Sequence, residues 1–252
     1  MFDFASFNLD MTQWTILCLC AVLVGITKTG VPGIGILAVP LLAISFPAKE
    51  STGILLPMLA FADIFAVCYY HRHAQWNHIV KLLPPAFIGI VTGSIIIRHI
   101  ENVHLQPIIG FIVISMLVLN YWQKKRNDQQ INIPTNWGFA LTIGFLAGLT
   151  TQLANAAGPL IVIYLLAMRL EKFKFIGTAA WYFLILNWLK IPLFIWDGRI
   201  NAESVKIDII MFPLILLGAA IGILILKKIP QKWFNIVLFI LVLAAAIKLI
   251  FS

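Results

Sequence analysis

Charge is what this sequence has least of. Asp, Glu, Lys and Arg make up 11% of the chain, against about 25% in a soluble domain, and so thin a polar complement cannot coat a water-soluble fold. Cysteine is scarce too: Cys18, Cys20 and Cys68 fall inside apolar runs with neither metal nor redox spacing, and read as small apolar packing residues. No nucleophile–base arrangement, phosphate-cradling loop or nucleotide motif occurs, which argues against an intramembrane enzyme and an ATP-driven pump and leaves no cofactor to expect. The opening MFDFASFNLDMTQ holds no Lys or Arg, so the basic start of a cleaved signal peptide is not expected.

What is present is apolar sequence, 61% of 252 residues, in runs that recur along the whole length. That pattern predicts an all-α polytopic membrane protein, with nothing left over for a sizeable soluble domain. The formal charge of +8 would point to nucleic acid in a soluble protein. Here the basic residues crowd the ends of apolar segments, so membrane topology explains them and no nucleic-acid partner is expected.

Two stretches organise the chain: Gly25 to Gly35 (GITKTGVPGIG) and Gly148 to Gly158 (GLTTQLANAAG). Each lies between apolar runs shorter than the roughly 20 residues that span a bilayer. Interrupted pairs in matching halves point to a transporter's binding site. The expected architecture is two inverted repeats, each a broken-helix hairpin followed by three transmembrane helices. The first repeat is 1–122, with its hairpin at 14–46 and helices at 51–70, 79–97 and 107–122. A polar cytoplasmic linker follows at 123–136. The second repeat is 137–252, with its hairpin at 137–168 and helices at 175–195, 205–226 and 233–251. Glycines and other residues match in order between the halves: Gly25 with Gly148, Gly35 with Gly158, Gly53 with Gly177, Gly89 with Gly218, Gly93 with Gly222.

The basic residues test the topology. With the amino terminus outside, Arg72, Lys81, the Lys124–Arg126 run, Arg169, Lys172, Lys174, Lys227, Lys228 and Lys232 all fall on the cytoplasmic side. Lys49, Arg98, Arg199, Lys206 and Lys248 fall outside. The positive-inside rule therefore favours hairpins over single crossings and places both termini outside.

Ionisable groups predicted for the apolar core are Lys28, Asp63 and Lys190. Each costs roughly 2.5–3.5 kcal/mol to insert, which makes it a functional candidate by default. Two lysines against one aspartate leave a surplus positive charge and favour an anionic substrate, with Asp63 as charge partner or coupling group. At the hairpin tips, Gly33, Gly35 and Gly158 allow close backbone approach, Gly30 is a further candidate substrate contact, and the returning half-helices would aim their N–H groups at the membrane middle. Thr29, Gln152 and Asn155 add neutral hydrogen bonds. For the threonines, substrate contact and satisfaction of unwound backbone stay equally open; Asn155, beside the glycines, reads as a substrate contact. Asn187 takes the place in the second half that Asp63 holds in the first, and lies on the same helix face as Lys190. His71, His73 and His78 sit in a short loop, HRHAQWNH, without nearby carboxylates; a solvated positive-inside loop explains them, and no metal site is expected.

The chain resembles the TauE/SafE sulfite exporters, also called toluene-sulfonate uptake permeases. The resemblance rests on Gly33–Leu42 (GIGILAVPLL), Leu56–Trp76, Gly148–Thr178 and Asn187–Phe194 (NWLKIPLF). It implies movement of small sulfur-containing anions, such as sulfite or organosulfonates, across a bacterial cytoplasmic membrane. Family tips often carry His where this chain has Asn155, and three glycines where it has Gly33-Ile34-Gly35. The sequence reading is a secondary transporter working by alternating access, an exporter by resemblance. A passive anion channel and a non-transporting membrane assembly factor are the alternatives. Substrate, coupling ion and oligomeric state stay open, a homodimer among the options.

Overall fold

Helix starts and stops follow local chemistry. In the computed structural model, residues 9–29, 34–126, 137–225 and 243–251 are described. Helix α1 (Met11–Thr29) opens on a reciprocal cap. The Gln13 N–H donates to Asp10 Oδ1 at 2.6 Å, and the Asp10 N–H donates to Gln13 Oε1 at 3.0 Å, so two of the free N–H groups of a helix start are satisfied. A 3₁₀ turn (Ile34–Leu37) and α2 (Ala38–Ser45) follow. Then come α3 (Ala48–Tyr70), a 3₁₀ turn at His71–His73, α4 (Trp76–His99) and α5 (Asn102–Arg126). The remaining helices are α6 (Trp137–Ala154), α7 (Gly158–Ala167), α8 (Lys172–Trp196) and α9 (Ala202–Ile225), with a last helical stretch at 243–250.

No strand occurs among the described residues. By length and composition, seven helices among the described residues can cross a membrane, and Gly35–Ser45 and Gly158–Ala167 are shorter apolar helices. The chain is a multi-pass membrane protein.

The helices run further than the apolar runs alone indicated. The apolar runs before the two glycine-rich stretches would be too short to span if they ended at Val24 and Ala147. In the structure α1 continues through GITKT to 19 residues and α6 through GLTTQLA to 18, long enough to span by length and composition. Glycine packing accounts for this. A Cβ on Gly25 would collide with the Ile215 carbonyl of α9, and one on Gly148 with the Ala86 carbonyl of α4. These glycines bring helix backbones together instead of ending helices, as small residues do in membrane interfaces. Proline is absorbed within α3, α4, α5, α8 and α9. Of helix 233–251, only 243–250 lies among the described residues.

Helix α1 packs along α9, and α4 along α6. Both pairs are parallel. Val22 lies at Gly218 and Ile26 at Gly222 in the first; Leu82 lies at Gly144 and Ala86 at Gly148 in the second. Between them α3 and α8 pack on each other, with α3 also against α9 and α8 also against α4. This central α3–α8 pair is antiparallel: Gly53 meets Arg199 and Gly177 meets Tyr70. One continuous apolar core runs through these elements, with Leu17, Leu42, Leu82, Leu165 and Tyr182 fully enclosed. Of the cysteines, Cys20 is buried in that core and Cys68 is exposed.

Candidate functional site

The break between α6 and α7 is three residues long, and Asn155 makes it. Its φ of 52° is left-handed, a conformation that Asn adopts more readily than most non-glycine residues. Its N–H closes the last turn of α6 on the Thr151 carbonyl at 2.9 Å. Two alanines later α7 begins at Gly158, with Pro159 in its first turn, where a missing N–H costs nothing.

Asn155 and Gly158 line a cavity of about 340 Å³. Thr27, Lys28 and Gly35 reach the same cavity from the first glycine-rich stretch. Asp63 and Asn187 line it from α3 and α8, while Leu55, Leu59, Ile161 and Phe183 supply apolar wall. At one end it extends past Leu166 and Phe175, where α7 finishes and α8 begins.

The two core lysines are treated differently. Lys28 Nζ pairs with Asp63 Oδ1 at 2.6 Å and lies 4.5 Å from the Phe183 ring centroid. Asp63 is fully buried, and its other oxygen accepts from Asn187 Nδ2 at 2.7 Å. A buried ion pair holds when further hydrogen bonds satisfy its charges; Asn187 supplies one to Asp63, and the Phe183 ring faces the Lys28 ammonium. Lys190, also fully buried, has no carboxylate against it among the described residues. Its Nζ donates to the Thr151 carbonyl at 3.1 Å, to Thr151 Oγ1 at 2.8 Å and to Asn155 Oδ1 at 2.7 Å. An ammonium has three protons, and all three are used. Lys190 is not among the residues lining the cavity; it stands behind Asn155 and fixes it.

Arg199 completes this arrangement. Its Nη1 donates to the Gln152 carbonyl at 3.0 Å. Lys190 and Arg199 thus both sit on carbonyls of the last turn of α6, the negative end of that helix. These two buried cations offset the partial negative charge of that helix end, while Gly158 and Pro159 at the start of α7 line the cavity.

The other expected site residues divide plainly. Thr29 Oγ1 turns to the carbonyls of Gly25 and Ala219, away from the cavity. Gln152 turns to Ser94, donating at 3.1 Å. Gly30 and Gly33 lie outside the described residues. His78 Nδ1 shares a hydrogen bond with the Tyr164 hydroxyl at 3.2 Å, and His71 Nδ1 lies 3.0 Å from the Cys68 carbonyl.

Residues 17–249 match the family described as Sulfite exporter TauE/SafE. The chain belongs to that family. No curated protein and no solved structure matches it.

Two buried charged residues of this TauE/SafE chain escaped the sequence reading. Arg199 was counted as an outside topology marker, yet it is 1% exposed, paired through Nη2 with Asp197 Oδ2 at 3.0 Å and set 3.3 Å from the Phe194 ring centroid. Burial pushes its guanidinium down to about 10, against the upward pull of Asp197, so it keeps its charge at neutral pH. The signal was the turn Asp197-Gly198-Arg199, in which Gly198 at φ +72° folds the arginine back under the helix end. Asp208, on α9, is equally buried, and neither of its carboxylate oxygens has a partner among the described residues. It was missed because it lies near the end of a run read only for its apolar content.

Proposed function

We propose that this TauE/SafE chain is a secondary carrier that exports small sulfur-containing anions, sulfite or organosulfonates, by alternating access. The observation that carries the reading is the cavity lined by both glycine-rich stretches, with Lys28 on its wall and the start of α7 at its edge. Lys28, Asn155, Gly158 and Asn187 would hold the anion, and Asp63 would be the charge partner that yields Lys28 to it. Lys190 would act from behind by fixing Asn155. Gly30 and Gly33 stay candidates for backbone contact.

The contact pattern supports two inverted repeats at 1–122 and 137–252, joined by the 123–136 linker. Residues matched between the halves occupy exchanged positions: Gly25 meets Gly218 while Gly148 meets the turn of α4 before Gly89. Asp63 and Asn187, matched in sequence, bond to each other. The parallel packing of α1 with α9 and of α4 with α6 fits hairpins that enter from opposite sides. With both termini outside a bacterial cytoplasmic membrane, the cavity mouth at Leu166 and Phe175 faces the cytoplasm, which suits an exporter awaiting its load. A passive channel is the weaker reading, because a buried layer of Gln152 and Arg199 lies between Asn155 and the Arg98 surface.

Counterflow of labelled sulfite or sulfoacetate in proteoliposomes tests this. Saturable uptake that falls at least about ten-fold in Lys28→Gln, a fraction of one charged hydrogen bond, is the expected result. Flux without saturation, or flux unchanged by Lys28→Gln, would overturn it.

A further inference from the structure

Beyond the cavity floor the described residues hold a second charged cluster, on the face where α4 and α8 end. Arg199 is its buried centre. Asp197 Oδ2 accepts from Arg199 Nη2 at 3.0 Å and from Ser94 Oγ at 3.3 Å, and Asp197 Oδ1 accepts from Arg98 Nε at 3.0 Å. Arg98 is 41% exposed and lies 3.9 Å from the Trp196 ring centroid. Three independent elements are joined here: α4 through Ser94 and Arg98, α6 through the Gln152 carbonyl, and the α8–α9 turn. The second turn of α3 closes the layer, since a Cβ on Gly53 would collide with the Arg199 carbonyl. On the cavity side, Asn155 Nδ2 donates to the Thr52 carbonyl at 2.9 Å. The path from cavity to far surface therefore passes Asn155, then Arg199, then Arg98.

The composition of this layer is uneven. Two guanidinium groups share one carboxylate, and Arg199 Nε, buried, has no partner among the described residues. A guanidinium presents its donors as a planar fork suited to two oxygens of one anion. Asp197 supplies one oxygen to that fork and leaves Nε idle. At the matching place on the mouth side, the Tyr70 hydroxyl donates to the Thr29 carbonyl at 3.3 Å, a neutral contact with no such vacancy.

We propose that Arg199 is a second anion-binding station, on the far side of the cavity, and that Asp197 is its built-in stand-in: a transported oxyanion takes both Nε and Nη2 of Arg199, Asp197 stays with Arg98, and the layer parts. This rests on the carrier reading and adds to it which anions open the far side. Sulfite, sulfonates and carboxylates carry two oxygens at the needed separation; chloride does not.

The test uses the full chain in sealed vesicles with the Arg98 face outward, Cys18, Cys20 and Cys68 replaced by alanine, and Thr52→Cys as reporter for an impermeant maleimide. Thr52 is buried and is not among the cavity-lining residues. Methanesulfonate should speed labelling on the order of ten-fold, chloride should not, and Arg199→Gln should abolish the response. Asp197→Asn should give fast labelling without any anion. Arg98→Gln, at a partly exposed site, should act in the same direction and serves if the Asp197 variant does not fold. Labelling that ignores methanesulfonate, responds equally to chloride, or responds unchanged in Arg199→Gln would overturn the proposal. Thermal stabilisation by methanesulfonate, measured alongside, separates the two readings. If it persists and depends on Lys28 while labelling stays flat, the station fails and the carrier reading stands. If it is absent altogether, both fail.

Discussion

Lys28 and Lys190 meet one problem, a cation set within an apolar core, and the chain answers it in two ways. Lys28 is given a carboxylate, and Lys190 three neutral oxygens from one helix end and one amide. The difference sets their predicted variants apart. Lys28→Met strands the Asp63 carboxylate and should cost about 3–5 kcal/mol of stability, whereas a Lys28→Met/Asp63→Leu pair should recover most of it without recovering anion binding. Thermal unfolding of the three proteins checks this; equal loss in the single and double variants would contradict it. Asn155 carries a backbone and a side-chain duty at once. Asn155→Ala should be less stable than Asn155→Gly by about 1 kcal/mol, the penalty of a Cβ in left-handed backbone. Both should weaken anion binding, because Lys190 loses its Oδ1 acceptor. The sequence made Lys28, Asp63 and Lys190 legible, since charge inside an apolar run is conspicuous. It could not separate cavity wall from scaffold, because that depends on which acceptors the fold brings to each ammonium. Arg199 and Asp208 were hidden for the opposite reason: near a segment end, a charged residue reads as solvated until the turn geometry is known.

At the scale of elements, glycine does two jobs that spacing alone does not distinguish. Gly25 and Gly148 are interface residues, each seated on a carbonyl of a neighbouring helix, whereas Gly158 has nothing within 4 Å of an added Cβ. Gly148→Ala should therefore force α6 off α4 and destabilise by about 1–3 kcal/mol, the range for overpacking. Gly158→Ala should leave folding within about 0.5 kcal/mol of the parent while narrowing the cavity and weakening anion binding. Thermal melts with and without sulfite give both values; a Gly158→Ala chain that melts early, or binds as before, would contradict the assignment. The same distinction explains the helix lengths. Gly25 and Gly148 were read as the starts of breaks, and the break in the second half comes only at Asn155, where backbone conformation requires it. The all-helical, multi-pass character was legible, because apolar runs recur along the chain. The partners of α1 and α6 were not, because no local pattern states that each lies along a helix from the other half of the chain.

For the whole molecule, the orientation proposed from the basic residues is open to a direct labelling test. In a cysteine-free background, Glu101→Cys should react with impermeant reagent from outside intact cells and Arg72→Cys only after the membrane is opened, both sites being exposed beyond opposite ends of α4. The reverse pattern would turn the cavity mouth outward and make the chain an importer in this state. Family membership sets the class of protein, and the proposal that this chain's own residues bind an anion rests on the cavity lined by Thr27, Lys28, Gly35, Asn155 and Gly158. Equilibrium binding of labelled sulfite to the purified chain addresses that tie most directly. The expected result is one saturable site, displaced by methanesulfonate, not by chloride, and weakened at least about ten-fold in Lys28→Met/Asp63→Leu, a folded chain without the cation. Binding of equal strength in that variant, or none in the parent, would contradict a site built around Lys28.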